Sequence, residues 1–132
     1  MVLENKNQKD VLIIDDDLGI CEILKQYCIN MKCFNDIVIA HDGVVAAQKL
    51  RNQKFGIVLL DMAMPGKSGL DLIDEFGEKS LNQIENVVII SGTLEQDLIT
   101  NVVDRGVKNF LLKPFDEPSF EERITKALKY SH

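Results

Sequence analysis

The 132-residue chain has no apolar run approaching the roughly 20 residues of a membrane span. Its polar start, MVLENKNQKD, lacks the apolar centre of a signal peptide. These two absences lead to the expectation of a cytoplasmic chain with no membrane partner. Positive charge is in the minority: 15 Lys and Arg stand against 21 Asp and Glu, for a formal net charge of −6 and a pI near 4.9. Nucleic-acid phosphates are bound through Lys/Arg clusters, and none stands out, so no nucleic-acid partner is expected. Low-complexity and Pro-rich stretches are missing, and a composition of 45% hydrophobic and 27% charged residues is that of one globular domain. A chain of this length buries about two thirds of its unfolded surface. Cysteines are few and odd in number (Cys21, Cys28, Cys33), without the Cys-x-x-Cys spacing of a zinc site. Cys21 and Cys28 read as small hydrophobes on one face of a helix.

Short apolar runs are present instead, at Val11–Ile14, Ile37–Ala40, Ile57–Leu60, Val87–Ile90 and Phe110–Leu112. None alternates with polar residues, the pattern of strands covered on both faces. Between them lie segments of helical spacing: Ile20 to Met31, Val44 to Leu50, Leu70 to Phe76, Leu98 to Val103 and Phe120 to Leu128. Gly77 and Gly106 read as stops after the third and fourth helices, and Pro118 falls in the first turn of the fifth. Five strands alternating with five helices predict an α/β fold, a parallel sheet with helices on both faces. The expected layout is a polar tail over residues 1–9, a domain over 10–130 and a tail at 131–132.

In open α/β sheets the site lies outside the carboxyl ends of the strands. The residues just past each run are Asp15, Asp16 and Asp17, then His41 and Asp42, then Asp61, then Ser91, then Lys113. Two carboxylates about 5 Å apart repel by roughly 3 kcal/mol at an effective dielectric near 20, so three ionised acids cost on the order of 10 kcal/mol. Such a cluster persists by protonating one group or by binding a cation. Hard oxygen donors favour Mg²⁺, which is held by one or two carboxylates and keeps several waters. A lysine and a hydroxyl facing the same point complete a phosphoryl-transfer arrangement, with an aspartate as nucleophile. Asp61, at the start of a Pro/Gly-punctuated loop, is expected to stand exposed at the crevice floor. Asp15 and Asp16 would share the metal, while Asp17 caps the next helix or faces water.

The segments IIDDD, VLLDMAMPGKSGLDL, VVIISG and NFLLKPF stand in order at these strand ends, with 45 residues from Asp16 to Asp61, 30 on to Ser91 and 22 on to Lys113. In these motifs the chain, from about Val11 to about Tyr130, resembles the receiver domain of two-component response regulators. The resemblance implies a flavodoxin-like fold with strand order 2-1-3-4-5. It implies Asp61 as phosphoacceptor, and Mg²⁺ held by Asp15, Asp16, Asp61 and the Ala63 main-chain carbonyl. Ser91 and Lys113 would contact phosphoryl oxygens, and Lys113–Pro114 would be a cis peptide. Ser91 and Phe110 would be the switch pair. A histidine kinase or histidine phosphotransfer protein would supply the phosphoryl group, and a protein target would dock on the face of helix 4, strand 5 and helix 5. Such a chain is a signalling module rather than an enzyme acting on other substrates.

The chain departs from the family pattern in Gly92, where Ala is usual. Ala63 and Thr93 stand at the positions that influence dephosphorylation; Ala63 carries nothing to orient a water, so autodephosphorylation is expected to be slow. Phe110 lacks a hydroxyl and would switch by packing alone. His41 reads as a surface loop residue, Met62 and Met64 as loop packing or partner contacts, and DEFGEK and EERITK as solvated faces. Two rival functions stand beside this one. A phosphorylation-independent binding module would keep the fold without the chemistry. An aspartate-nucleophile phosphatase would use Asp15 and Asp17, but it needs an acidic pair after Lys113, where the nearest acids are Asp116 and Glu117, and it leaves Asp61 idle. No output domain is expected after the fifth helix; a stand-alone regulator, a piece of a longer protein and a phosphorylation-dependent dimer all stay open.

Overall fold

In the computed structural model, which describes residues 9–62, 69–77, 80–93 and 95–130, the apolar runs become the five strands β1 (Lys9–Ile14), β2 (Phe34–Ala40), β3 (Ile57–Asp61), β4 (Val87–Ser91) and β5 (Asn109–Leu112). All pairings are parallel, in the order β2-β1-β3-β4-β5. β1 and β3 lie at the centre and are buried over the segments where they pair, from Val11 to Ile14 and from Ile57 to Leu60. That burial is why their sequences run apolar without alternation.

The helices are α1 (Leu18–Met31), α2 (Gly43–Asn52), α3 (Gly69–Ile73), α4 (Gln96–Asp104) and α5 (Glu117–Tyr130), with one 3₁₀ turn at Ile84–Asn86. Successive strand residues point to opposite faces, which makes two cores. Leu12, Ile14, Val58, Leu60, Val87 and Ile89 pack with Ala46, Leu50, Leu72 and Val102 on the side of α2, α3 and α4. Val11, Ile13, Ile57, Leu59, Val88 and Ile90 pack with Cys21, Leu24, Cys28, Phe120 and Ile124 of α1 and α5. Cys21 and Cys28 are free thiols in that core, as small hydrophobes would be.

Two elements differ from expectation. The third helix ends at Ile73 rather than Phe76, because Glu75 and Phe76 donate to the carbonyls of Leu72 and Ile73, three residues back, and this tightening closes the turn before Gly77. β2 begins three residues early, at Phe34, since an edge strand leaves Asn35 and Asp36 in solvent and tolerates their polarity. Gly106 does follow α4, at a φ of 103° that glycine adopts without strain.

Candidate functional site

The strand runs end where charge begins, so β1 delivers Asp15, β3 Asp61, β4 Ser91 and β5 Lys113 to one edge of the sheet. Asp15, Asp16 and Asp61 each present a carboxylate oxygen within 4.8 Å of the others. Asp15 and Asp61 are buried, at 1% and 7% exposure, while Asp16 is open to solvent. The expectation of an exposed Asp61 is therefore corrected: it is the last residue of the central strand β3 and still pairs with β4, opposite Ile90. Lys113 Nζ lies 3.5 Å from Asp15 Oδ2 and 4.0 Å from Asp61 Oδ1. One ammonium thus faces two buried carboxylates.

Asp17 turns its side chain away from this cluster and accepts the Ile20 amide at 3.1 Å as the N-cap of α1. Asp15 Oδ1 accepts the Asp17 amide at 2.9 Å. Its Oδ2 is buried and accepts no hydrogen bond among the described residues. Burial pushes the Asp15 carboxyl above its ordinary value and the Asp61 charge adds to the rise, against the Asp17 amide and Lys113. A buried carboxylate oxygen left in this state, beside two further acids, is the donor set a hard divalent cation fits. Mg²⁺ therefore suits Asp15, Asp16 and Asp61.

Ser91 sits at the end of β4, its Oγ 2.6 Å from the Thr93 carbonyl, to which it donates, and it accepts the Thr93 amide at 3.2 Å. The hydroxyl is thus engaged in its own loop. Thr93 is exposed and Gly92 has open space around it. Phe110 is partly buried against the α2–α4 side of the core and borders a surface groove of about 470 Å³ shared with Leu112, Pro114, Phe115, Arg123 and Lys126. The Lys113–Pro114 peptide is cis. Met62 packs over Gly69, where a Cβ would meet its sulfur. Ala63 and Met64 lie outside the described residues, and with them the expected main-chain ligand.

His41 is exposed, as a surface residue would be, yet its Nδ1 lies 3.3 Å from the Asp15 carbonyl. The Cys21 thiol donates to the same oxygen at 3.3 Å. Burial, and after it the Asp15 and Asp17 charges, push Cys21 up to about 11, so it stays a thiol. Sequence reading placed neither residue at the site. The one signal was the position of His41 directly after β2, next to β1.

Residues 11–125 match the model of the response regulator receiver domain family. The chain belongs to that family. A receiver domain is a signalling module of two-component systems rather than a classical enzyme. Chemotaxis protein CheY-3 of Vibrio cholerae is 30% identical over 126 residues, 95% of each chain. Transcriptional regulatory protein MalR of Bacillus subtilis is 32% identical over 116 residues, which are 88% of this chain and 48% of MalR. The receiver thus spans about half the length of that relative. Among solved structures, a CheY-like receiver domain from Methanospirillum hungatei superposes with a TM-score of 0.82 at 21% identity, covering 94% of this chain and 96% of that one. A chain of the CheX–CheY–BeF3–Mg²⁺ complex from Borrelia burgdorferi does so at 0.76 and 29%, covering 89% and 87%. Among the described residues no helix is long and apolar enough to cross a membrane.

Proposed function

We propose that this receiver takes a phosphoryl group onto Asp61, in the cytoplasm, from a histidine kinase or a histidine phosphotransfer protein. The observation that carries the reading is a buried aspartate at the end of the central strand, grouped with two further acids within 4.8 Å and faced by Lys113 at 4.0 Å. An Asp61 oxygen attacks phosphorus, the bond from phosphorus to the donor imidazole breaks, and the imidazole leaves with a proton. Asp15 and Asp16 hold Mg²⁺ together with Asp61, and when bound the ion neutralises phosphoryl and carboxylate charge. Lys113 is within reach of a second phosphoryl oxygen and offsets its charge. The Ser91 hydroxyl gives up the Thr93 carbonyl to donate to a third.

Movement of Ser91 frees space beside β4, and Phe110 on β5 repacks into it. The groove between β5 and α5 then changes shape, and with it the protein partner bound on the face of α4, β5 and α5. The Borrelia CheY, crystallised with BeF3, Mg²⁺ and CheX, supports both the ion and a protein partner for this chain. The phosphatase reading gives Asp61 no role, and the buried position of Asp61 beside Lys113 counts against it.

Intact mass after incubation with acetyl phosphate tests the proposal. One phosphoryl adduct is expected with Mg²⁺, and none without it or in Asp61→Asn. A folded wild type that gains no adduct would instead make the chain a phosphorylation-independent binding module.

A further inference from the structure

The Asp15 amide donates to the Ala40 carbonyl at 3.1 Å, the last rung between β1 and β2. The pairing of β1 with β3 has already ended at Ile14 and Leu60. The Asp15 carbonyl is therefore a buried acceptor that the sheet no longer serves, and such groups find partners. Its partners are two side chains from separate elements: Cys21 Sγ from α1 and His41 Nδ1 from the end of β2, each at 3.3 Å. The two side-chain atoms are themselves 3.8 Å apart. One proton arrangement satisfies both contacts, with the thiol and Nδ1–H each donating to the carbonyl. A thiol donating to Nδ1 instead would leave an imidazole lone pair pointing at a carbonyl oxygen, which is repulsive.

We propose that His41 and Cys21 are positioning residues that clamp the Asp15 peptide and thereby fix the Asp15 and Asp16 carboxylates for a divalent cation. The peptide between Asp15 and Asp16 contains the clamped oxygen, so its plane sets where both side chains leave the backbone. The preceding peptide is held at the Ala40 carbonyl through the Asp15 amide, and this one by the two side-chain donors, so the carboxylates stay gathered before any ion arrives. The metal affinity then includes little cost for ordering them. The proposal rests on the Mg²⁺ reading of the site.

Calorimetric titration of MgCl2 into wild type, His41→Ala, His41→Asn and Asp16→Asn tests it. His41 is exposed, so Tm is expected to stay near the wild-type value in both His41 variants. Loss of the ring should weaken Mg²⁺ binding about tenfold, and the Asn amide, a donor at the place of Nδ1, should restore it to within about twofold. Equal affinity in wild type and His41→Ala, or no rescue by Asn, would overturn the clamp. A wild type that binds no Mg²⁺ would defeat the functional reading by itself, and amide exchange at Asp15 and Asp17 by NMR would then decide the clamp. Faster exchange in His41→Ala, reversed in His41→Asn, supports it; unchanged exchange overturns it.

Discussion

Replacing Asp15 by Asn should make the Mg²⁺-free protein more stable. At 1% exposure Asp15 is almost wholly out of water, and a carboxylate oxygen of buried Asp61 is within 4.8 Å. That pair repels by about 3 kcal/mol at an effective dielectric near 20. Exposed Asp16 adds about 1 kcal/mol, since water screens it. Lys113, 3.5 Å away, returns about 5 kcal/mol, so the charge–charge terms nearly cancel. What remains is desolvation, which is also the largest cause of the raised Asp15 pKa. Asn keeps an acceptor for the Asp17 amide and offers a donor toward Asp61, while Lys113 keeps Asp61. We expect Asp15→Asn to gain about 1 to 3 kcal/mol in urea unfolding at neutral pH. Mg²⁺ should narrow the gap: at about ten times its Kd it adds about 1.4 kcal/mol to the wild type and little to the variant. A variant less stable than wild type without Mg²⁺, or stabilised equally by the ion, would refute the reasoning.

The same carboxyl sets a pH dependence. Its folded value lies above the unfolded one, so its stabilising effect is full below the ordinary value of 3.8 and is lost as pH rises through the raised one. The stability difference between Asp15→Asn and wild type should therefore widen as pH rises above about 4 in urea titrations without Mg²⁺, and a flat difference would contradict this. Asn82→Ala should cost about 3 to 5 kcal/mol in the same assay, because the buried side chain accepts the Phe55 amide at 2.7 Å and donates to the Leu50 and Gln53 carbonyls. Gly106→Ala should cost about 1 to 2 kcal/mol, since φ is 103° and the new Cβ would meet Ile84 at 2.9 Å.

The carboxyl edge of the sheet was legible because each buried strand must stop being apolar where it leaves the core. Val11–Ile14 giving way to Asp15, and Ile57–Leu60 to Asp61, mark that border in plain residue types. Parallel order followed from the alternation of strands with helices. The extent of α3 was not legible, since hydrophobic spacing from Leu70 to Phe76 continues past the point where three-residue bonds tighten the chain. Nor was the beginning of β2, where Asn35 and Asp36 suit an edge and not a centre. The burial of Asp61 escaped notice because the Pro/Gly loop after it suggested exposure, whereas Asp61 still belongs to β3 and pairs with β4. The Cys21–His41 contact joins residues 20 positions apart through the sheet, a relation with no local signature.

Phosphoryl transfer is assigned to the Asp61 carboxylate. An acyl phosphate on aspartate is reduced by borohydride to homoserine, so peptide sequencing by mass spectrometry after acetyl phosphate, Mg²⁺ and borohydride reads the acceptor directly. Homoserine at position 61, absent when Mg²⁺ is omitted, is the result predicted. Homoserine at position 15 or 16, or a phosphoryl adduct that yields none at position 61, would contradict it.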